Sequence, residues 1–157
     1  MKIITVSGAH SGVGKTHAIG ELLNELKDWS VLKVTVSRNG LCKKANSCGV
    51  CNRLRKRFAI VTDDKIISQE GKDTSSFKAK GAKEVIWLQA KPHGLKEGLK
   101  KSLAKFKDPK GIIIEGTSVL RYIKPSFAIF ILGKVKKLRP AARLAHRKAD
   151  IVYGFSR

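Results

Sequence analysis

The chain has 157 residues, 42% of them hydrophobic, and 33 Lys plus Arg against 12 Asp plus Glu give it a formal charge of +21. That length suits one packed domain spanning residues 1–157, and the apolar content excludes a globally disordered chain. No apolar run approaches the about 18–20 residues that span a bilayer, and Met1–Gly8 is too short and has no small-residue cleavage site for a signal peptide, so a cytoplasmic globular protein without a membrane partner is the expectation.

Strand-like runs fall at Lys2–Ser7, Val31–Val36, Phe58–Thr62, Glu84–Leu88, Gly111–Ile114, Phe127–Leu132 and Ile151–Tyr153. Several are apolar without alternation, as in Ile112-Ile113-Ile114, which predicts strands buried on both faces of a parallel sheet. Between them, Gly14–Trp29 carries Ile19, Leu22, Leu23, Leu26 and Trp29 at helical spacing. His93–Lys107 repeats the pattern with Leu95, Leu99, Leu103 and Phe106, and places lysines on its other face. Arg139–Lys148 reads as a short basic helix with Pro140 in its first turn. Strands alternating with helices predict an α/β fold of three layers, a mostly parallel sheet flanked by helices. A Cys- and Lys-rich segment around residues 39–57 reads as an insertion.

The strongest chemical signal is Ala9-His10-Ser11-Gly12-Val13-Gly14-Lys15-Thr16, which follows the first strand and opens the first helix. It matches the phosphate-binding loop, with Ala9 in place of the usual first glycine and Gly8 just before it. A glycine-rich turn lets backbone N–H groups point at phosphates, and the helix N-terminus that follows favours an anion. Lys15 is then the contact to the β- and γ-phosphates, and the Thr16 hydroxyl is a ligand for Mg²⁺. Such a site needs an acidic residue at a neighbouring strand end, and Glu115, after Gly111–Ile114, fits that place. Asp73 is a second candidate, with a helix N-cap for Thr74–Lys80 as its bland alternative. Asp63 and Asp64 read as turn residues.

Met1–Asp28 resembles the start of the deviant P-loop NTPases that include dethiobiotin synthetases and MinD-like ATPases. Gly71-Lys72-Asp73-Thr74, followed by Phe77, Ala79, Gly81-Ala82 and Val85, resembles the molybdopterin-guanine dinucleotide biosynthesis protein B (MobB) family, as does Ile114-Glu115-Gly116. The resemblance implies a GTP-binding adaptor that assists nucleotide attachment to molybdopterin, with a molybdopterin enzyme or pterin phosphate as partner. It also implies phosphate and Mg²⁺ contacts from Lys15 and Thr16, and Asp73 and Glu115 near metal and phosphate, as catalytic residues with Lys15. A homodimer is expected because related P-loop proteins often dimerise. No Asn-Lys-x-Asp motif selects guanine, so GTP and ATP both stay open.

Cys42, Cys48 and Cys51 fall within ten residues, among Lys43, Lys44, Arg53 and Arg55. Clustered thiols in a cytosolic setting favour metal binding or redox chemistry over a structural disulfide, with zinc or a three-cysteine iron–sulfur cluster as the metal alternatives and a loop with unliganded cysteines or a Cys48–Cys51 pair as the plain one. His10 lies inside the loop and His17 one turn into its helix, where both can approach phosphate or substrate, with a polar surface residue as the bland alternative; His93 and His146 read as surface residues.

The charge is concentrated. Residues 43–57, 91–110 and 134–148 hold 20 basic and 2 acidic residues. Three functions follow. The first is a Mg²⁺-dependent nucleotide-binding protein, a slow NTPase or adaptor. The second is an ATP-dependent small-molecule kinase or ligase of the dethiobiotin-synthetase kind. The third is a nucleic-acid-binding protein, for which 6% aromatic residues offer few stacking platforms.

Overall fold

A computed structural model describes residues 1–37 and 54–154. Seven strands form one sheet in the order β3-β4-β2-β5-β1-β6-β7, parallel throughout except for the antiparallel edge strand β3. The strands are β1 Lys2–Gly8, β2 Ser30–Val36, β3 Phe58–Val61, β4 Val85–Ala90, β5 Gly111–Glu115, β6 Phe127–Ile131 and β7 Ile151–Tyr153. The helices are α1 Lys15–Glu25, α2 Asp64–Ile67, α3 Asp73–Ala79, α4 Leu95–Leu103 and α5 Pro140–Arg147.

The apolar runs without alternation are the strands buried on both faces. One face of the sheet gives Val6, Val31, Val85, Trp87, Ile113 and Ile131 to a core with Ile19 and Leu23 of α1, Ile67 of α2 and Phe77 of α3. The other gives Leu32, Ile86, Leu88, Ile112, Ile114 and Phe130 to a core with Leu95 and Leu99 of α4 and Ala142 and Ala145 of α5. Helix–sheet–helix is thus the layered α/β fold expected of the sequence. A strand buried on both sides has no polar face, so the central strands lack the period-2 signal of a half-exposed sheet.

Several local details differ from the periodicity. The first helix stops at Glu25 rather than reaching Trp29, and Asp28 turns the chain with a left-handed φ of 66°. Trp29 is still buried, but as a loop residue whose ring lies over Gly111 at the start of β5. The segment from His93 divides into a 3-10 turn at Pro92–Gly94 and α4, which ends at Leu103. Asp63, expected as a turn residue, caps the short helix α2 by accepting from Lys65 N at 2.9 Å, and Asp64 is that helix's first residue. The basic helix after Pro140 forms as expected, but His146 is half-buried rather than exposed, its ring edge-on to Phe130 at 5.2 Å and 86°. His93 is exposed.

The three cysteines and most of the insertion-like segment lie outside the described residues. Among those described, no group of three or more His, Cys, Asp and Glu is placed to hold a metal ion, and no helix is long and apolar enough to cross a membrane.

A Cβ on Gly111 would lie 2.6 Å from three carbons of the Trp29 ring. Since packed cores resist added volume, Gly111→Val is expected to destabilise the protein by about 1–3 kcal/mol, read as a lower urea midpoint with an unchanged denaturation slope.

Candidate functional site

The site forms where β1, β5 and β2 end at the same edge of the sheet. Parallel pairing aligns Val6 of β1 and Lys33 of β2 with Glu115 of β5, so the three side chains share one face. It is the face that α1 and α3 cover. In an open parallel sheet, ligands gather at the carboxyl ends of the strands where successive connections leave in opposite directions. Here the chain passes from β1 to β2 on one side of β1, and from β5 to β6 on the other.

The loop after β1 has the backbone that phosphate binding needs. Gly12 and Gly14 take left-handed φ values of 80° and 99°, conformations that a side chain disfavours, and Gly14 is the residue from which α1 starts. Ala9, at the usual place of a glycine, needs no such freedom. Its φ is not positive, its side chain is buried, and its N–H donates to Ile131 O at 3.0 Å. The close approach falls on Gly8 instead, where a Cβ would meet Val13 Cγ1 at 2.6 Å and Ile131 O at 3.3 Å. Thr117 Oγ1 fixes the loop's entry, accepting from Gly8 N at 3.3 Å and donating to Gly8 O at 3.1 Å.

Lys15 Nζ donates to the His10 carbonyl at 3.0 Å, folded over its own loop. Burial lowers the Lys15 pKa, and Glu115 and Asp73 counter part of that effect. Thr16 Oγ1 donates to Asp73 Oδ1 at 3.0 Å, and Lys33 Nζ pairs with Asp73 Oδ2. Glu115 lies 3.9 Å from Lys33 through Oε2, an oxygen that is buried and has no hydrogen-bond partner among the described residues. Burial raises the Glu115 pKa against the pull of Lys33, and the Asp73 charge adds to the rise. For Asp73 burial also pushes upward, yet the Lys33 ammonium and the Thr16 hydroxyl prevail and hold its carboxyl below the usual range.

Asp73 is therefore not a helix N-cap. It is the first residue of α3, Lys72 is the cap, and the Asp73 side chain turns away to the P-loop. The preceding block sets that direction: Gly71 turns with a φ of 77°, and Lys72 lies over the Trp87 ring at 5.6 Å. Nor is Glu115 a solvent-facing strand end, being 7% exposed.

His10 is exposed, with Nδ1 placed 2.7 Å from Ser11 O, and His17 is exposed one turn into α1. Both lie on the rim, and neither reaches the carboxylates by any described bond. His10, Ser11, Lys15, Lys33, Asp73 and Glu115 line a common cleft of about 370 Å³, together with Thr117, Ser118, Arg139 and the first turn of α5.

Lys33 and Arg139 were not among the residues that the sequence singled out. The available signal for Lys33 was a charge inside the run Val31-Leu32-Lys33-Val34-Thr35-Val36. Arg139 is one of seven basic residues in residues 134–148, and only the placement of α5 distinguishes it.

The donors fit a hard cation. One hydroxyl and two carboxylates from three elements meet beside a phosphate loop, and Mg²⁺ takes oxygen ligands of this kind, usually one or two carboxylates together with substrate phosphates.

The two carboxylates titrate in opposite senses, and stability follows. A raised pKa means that charged Glu115 costs folding energy above its folded pKa, a cost that disappears as pH falls below its unfolded range. A depressed pKa means that Asp73 contributes stability above its unfolded range, lost as pH falls through its folded pKa. Glu115→Gln is thus expected to raise the unfolding midpoint at pH 7, with the gain shrinking as pH falls toward 4, whereas Asp73→Asn lowers it at pH 7. Urea melts of the three proteins across pH 4–8 would show this, and superimposable profiles would contradict it.

No protein-family model and no curated protein matches the sequence. Among solved structures, LpxK from Aquifex aeolicus in complex with ATP is similar, with a TM-score of 0.56 and 22% identity over 98% of this chain. The alignment takes in 48% of LpxK, so the chain spans about half the length of that protein. Loop, sheet order and this likeness agree on the architecture: the chain has the three-layer α/β fold of the P-loop NTPases.

Proposed function

We propose that the protein binds a nucleoside triphosphate with Mg²⁺ and hydrolyses it slowly, its two nucleotide states engaging a partner differently. The observation that carries this reading is the meeting of Lys15, Thr16, Asp73 and Glu115 from three separate elements, with one buried carboxylate oxygen left unpartnered. A buried polar atom without a bond is costly, and a hydrated cation satisfies it.

In this reading the backbone N–H groups of Ala9–Thr16 hold the β- and γ-phosphates, and Lys15 moves from the His10 carbonyl to phosphate oxygens. Thr16, Asp73 and Glu115 would hold Mg²⁺, which when bound neutralises charge on the phosphates. Asp73 orients the Thr16 hydroxyl by accepting its hydrogen bond, and Thr117 keeps the loop in register with the end of β5. The sequence carries no Asn-Lys-x-Asp motif, so GTP and ATP are both candidates. The likeness to LpxK, solved with ATP, makes ATP the first to test.

The narrower assignment, to molybdopterin-guanine dinucleotide synthesis, is supported by the resemblance of Gly71–Thr74 and Ile114–Gly116 to the MobB pattern and by the convergence of Asp73 and Glu115. A molybdopterin enzyme or pterin phosphate is the partner that it names. A second reading, phosphoryl transfer to a small acceptor, has the cleft in its favour: beyond the loop residues it is also lined by Ser118 and Arg139, a polar and a cationic group suited to an acceptor.

Binding of fluorescent ATP and GTP analogues in Mg²⁺ tests the common core. Lys15→Ala is expected to weaken binding by about 100-fold or more, in line with about 3 kcal/mol for lost charge-assisted bonds to phosphate. Wild type that binds neither nucleotide, or Lys15→Ala that binds as tightly as wild type, would overturn the proposal. ADP or GDP release that needs an added small acid or alcohol would favour the acceptor reading over the adaptor.

A further inference from the structure

We infer that Lys33 is a built-in competitor for the divalent cation, an ammonium held between Asp73 and Glu115 that must leave before a metal binds them together. The inference rests on the nucleotide-site reading and adds to it a reason for the metal to enter only with the triphosphate.

Lys33 interrupts a β-branched strand at the position whose register partner is Glu115, so backbone pairing alone brings the two side chains to one face. Its Nζ pairs with Asp73 Oδ2 and stands 3.9 Å from Glu115 Oε2. The Lys33 side chain is 17% exposed and that of Glu115 9%, so little water screens those two, while the Asp73 side chain, 42% exposed, is the partner that water and an arriving cation reach. Asp73 gives its other oxygen to Thr16, and the ammonium therefore sits among the oxygens that suit a cation. Lys15, the other cation of the site, is committed to the His10 carbonyl.

The electrostatic consequence is direct. A divalent ion arriving alone must break the Lys33–Asp73 pair and place its charge beside a displaced ammonium, with no new anion to receive it. A metal arriving with a triphosphate brings acceptor oxygens for both Lys33 and Lys15. Lys33 thus couples the two ligands: metal affinity is low without nucleotide and rises with it. An apolar residue of similar length removes the competitor and leaves two facing carboxylates, an arrangement that attracts a divalent cation more strongly.

Mn²⁺ binding followed by electron paramagnetic resonance, with no nucleotide present, reads this without any turnover. Lys33→Met and Lys33→Gln are both expected to bind Mn²⁺ about tenfold tighter than wild type or better, while Lys33→Arg, which keeps the charge, binds as weakly as wild type. Adding Glu115→Gln to Lys33→Met should remove the gain and so locate it. Two neutral variants that are folded by circular dichroism yet bind Mn²⁺ no tighter than wild type would overturn the inference, as would a gain that survives Glu115→Gln. Titration of the same proteins with a fluorescent triphosphate separates the two levels. If no protein bound nucleotide, the function above would fail, while the Mn²⁺ affinities still decide the role of Lys33.

Discussion

The site depends on one juxtaposition: two carboxylates and two ammonium groups drawn from four different elements into a half-buried cleft. Lys15 comes from the start of α1, Lys33 from β2, Glu115 from the end of β5 and Asp73 from the start of α3. Charges in such surroundings are tolerable only when paired. The pairing of Lys33 with Asp73 keeps that carboxylate ionised, and Glu115, with the less complete pairing, bears the cost of burial. That incompletely paired buried carboxylate beside a phosphate loop is the feature on which the proposed cation site rests.

The sheet makes this meeting possible. Parallel strands without polar faces stack two apolar layers on either side, and they bring all their carboxyl ends to one edge. Functional groups can then be placed at strand ends and loops without disturbing the core, while α4 and α5 present their lysines and arginines to water. The basic surplus divides accordingly. Arg139 lines the cleft, the α4 lysines Lys96, Lys100 and Lys101 lie exposed, and residues 43–53 are part of the cysteine segment.

What was legible in the sequence was whatever local spacing encodes. The loop from Ala9 to Thr16 is read directly, because its glycines, lysine and threonine act within eight residues. Glu115 is read from a strand end and Asp73 from the Gly71–Thr74 block. Lys33 is not readable in this way, since its meaning comes from the strand beside it, a neighbour 82 positions along the chain. The end of the first helix was hidden because Trp29 continues the apolar spacing after Asp28 has already turned the chain. His146 looked like surface because a basic helix suggests solvent, whereas α5 packs its inner side on Phe130. In each case register or packing between distant segments overrode the local pattern.

A crystal structure of the protein with Mg²⁺ and a non-hydrolysable triphosphate tests the central claim most directly. The account predicts β- and γ-phosphates on the backbone of Ala9–Thr16, the metal beside Thr16 with Asp73 and Glu115 around its ligand shell, and the Lys33 ammonium withdrawn from between the carboxylates. A nucleotide seated elsewhere, or a metal-bound complex in which Lys33 still bridges Asp73 and Glu115, would contradict it.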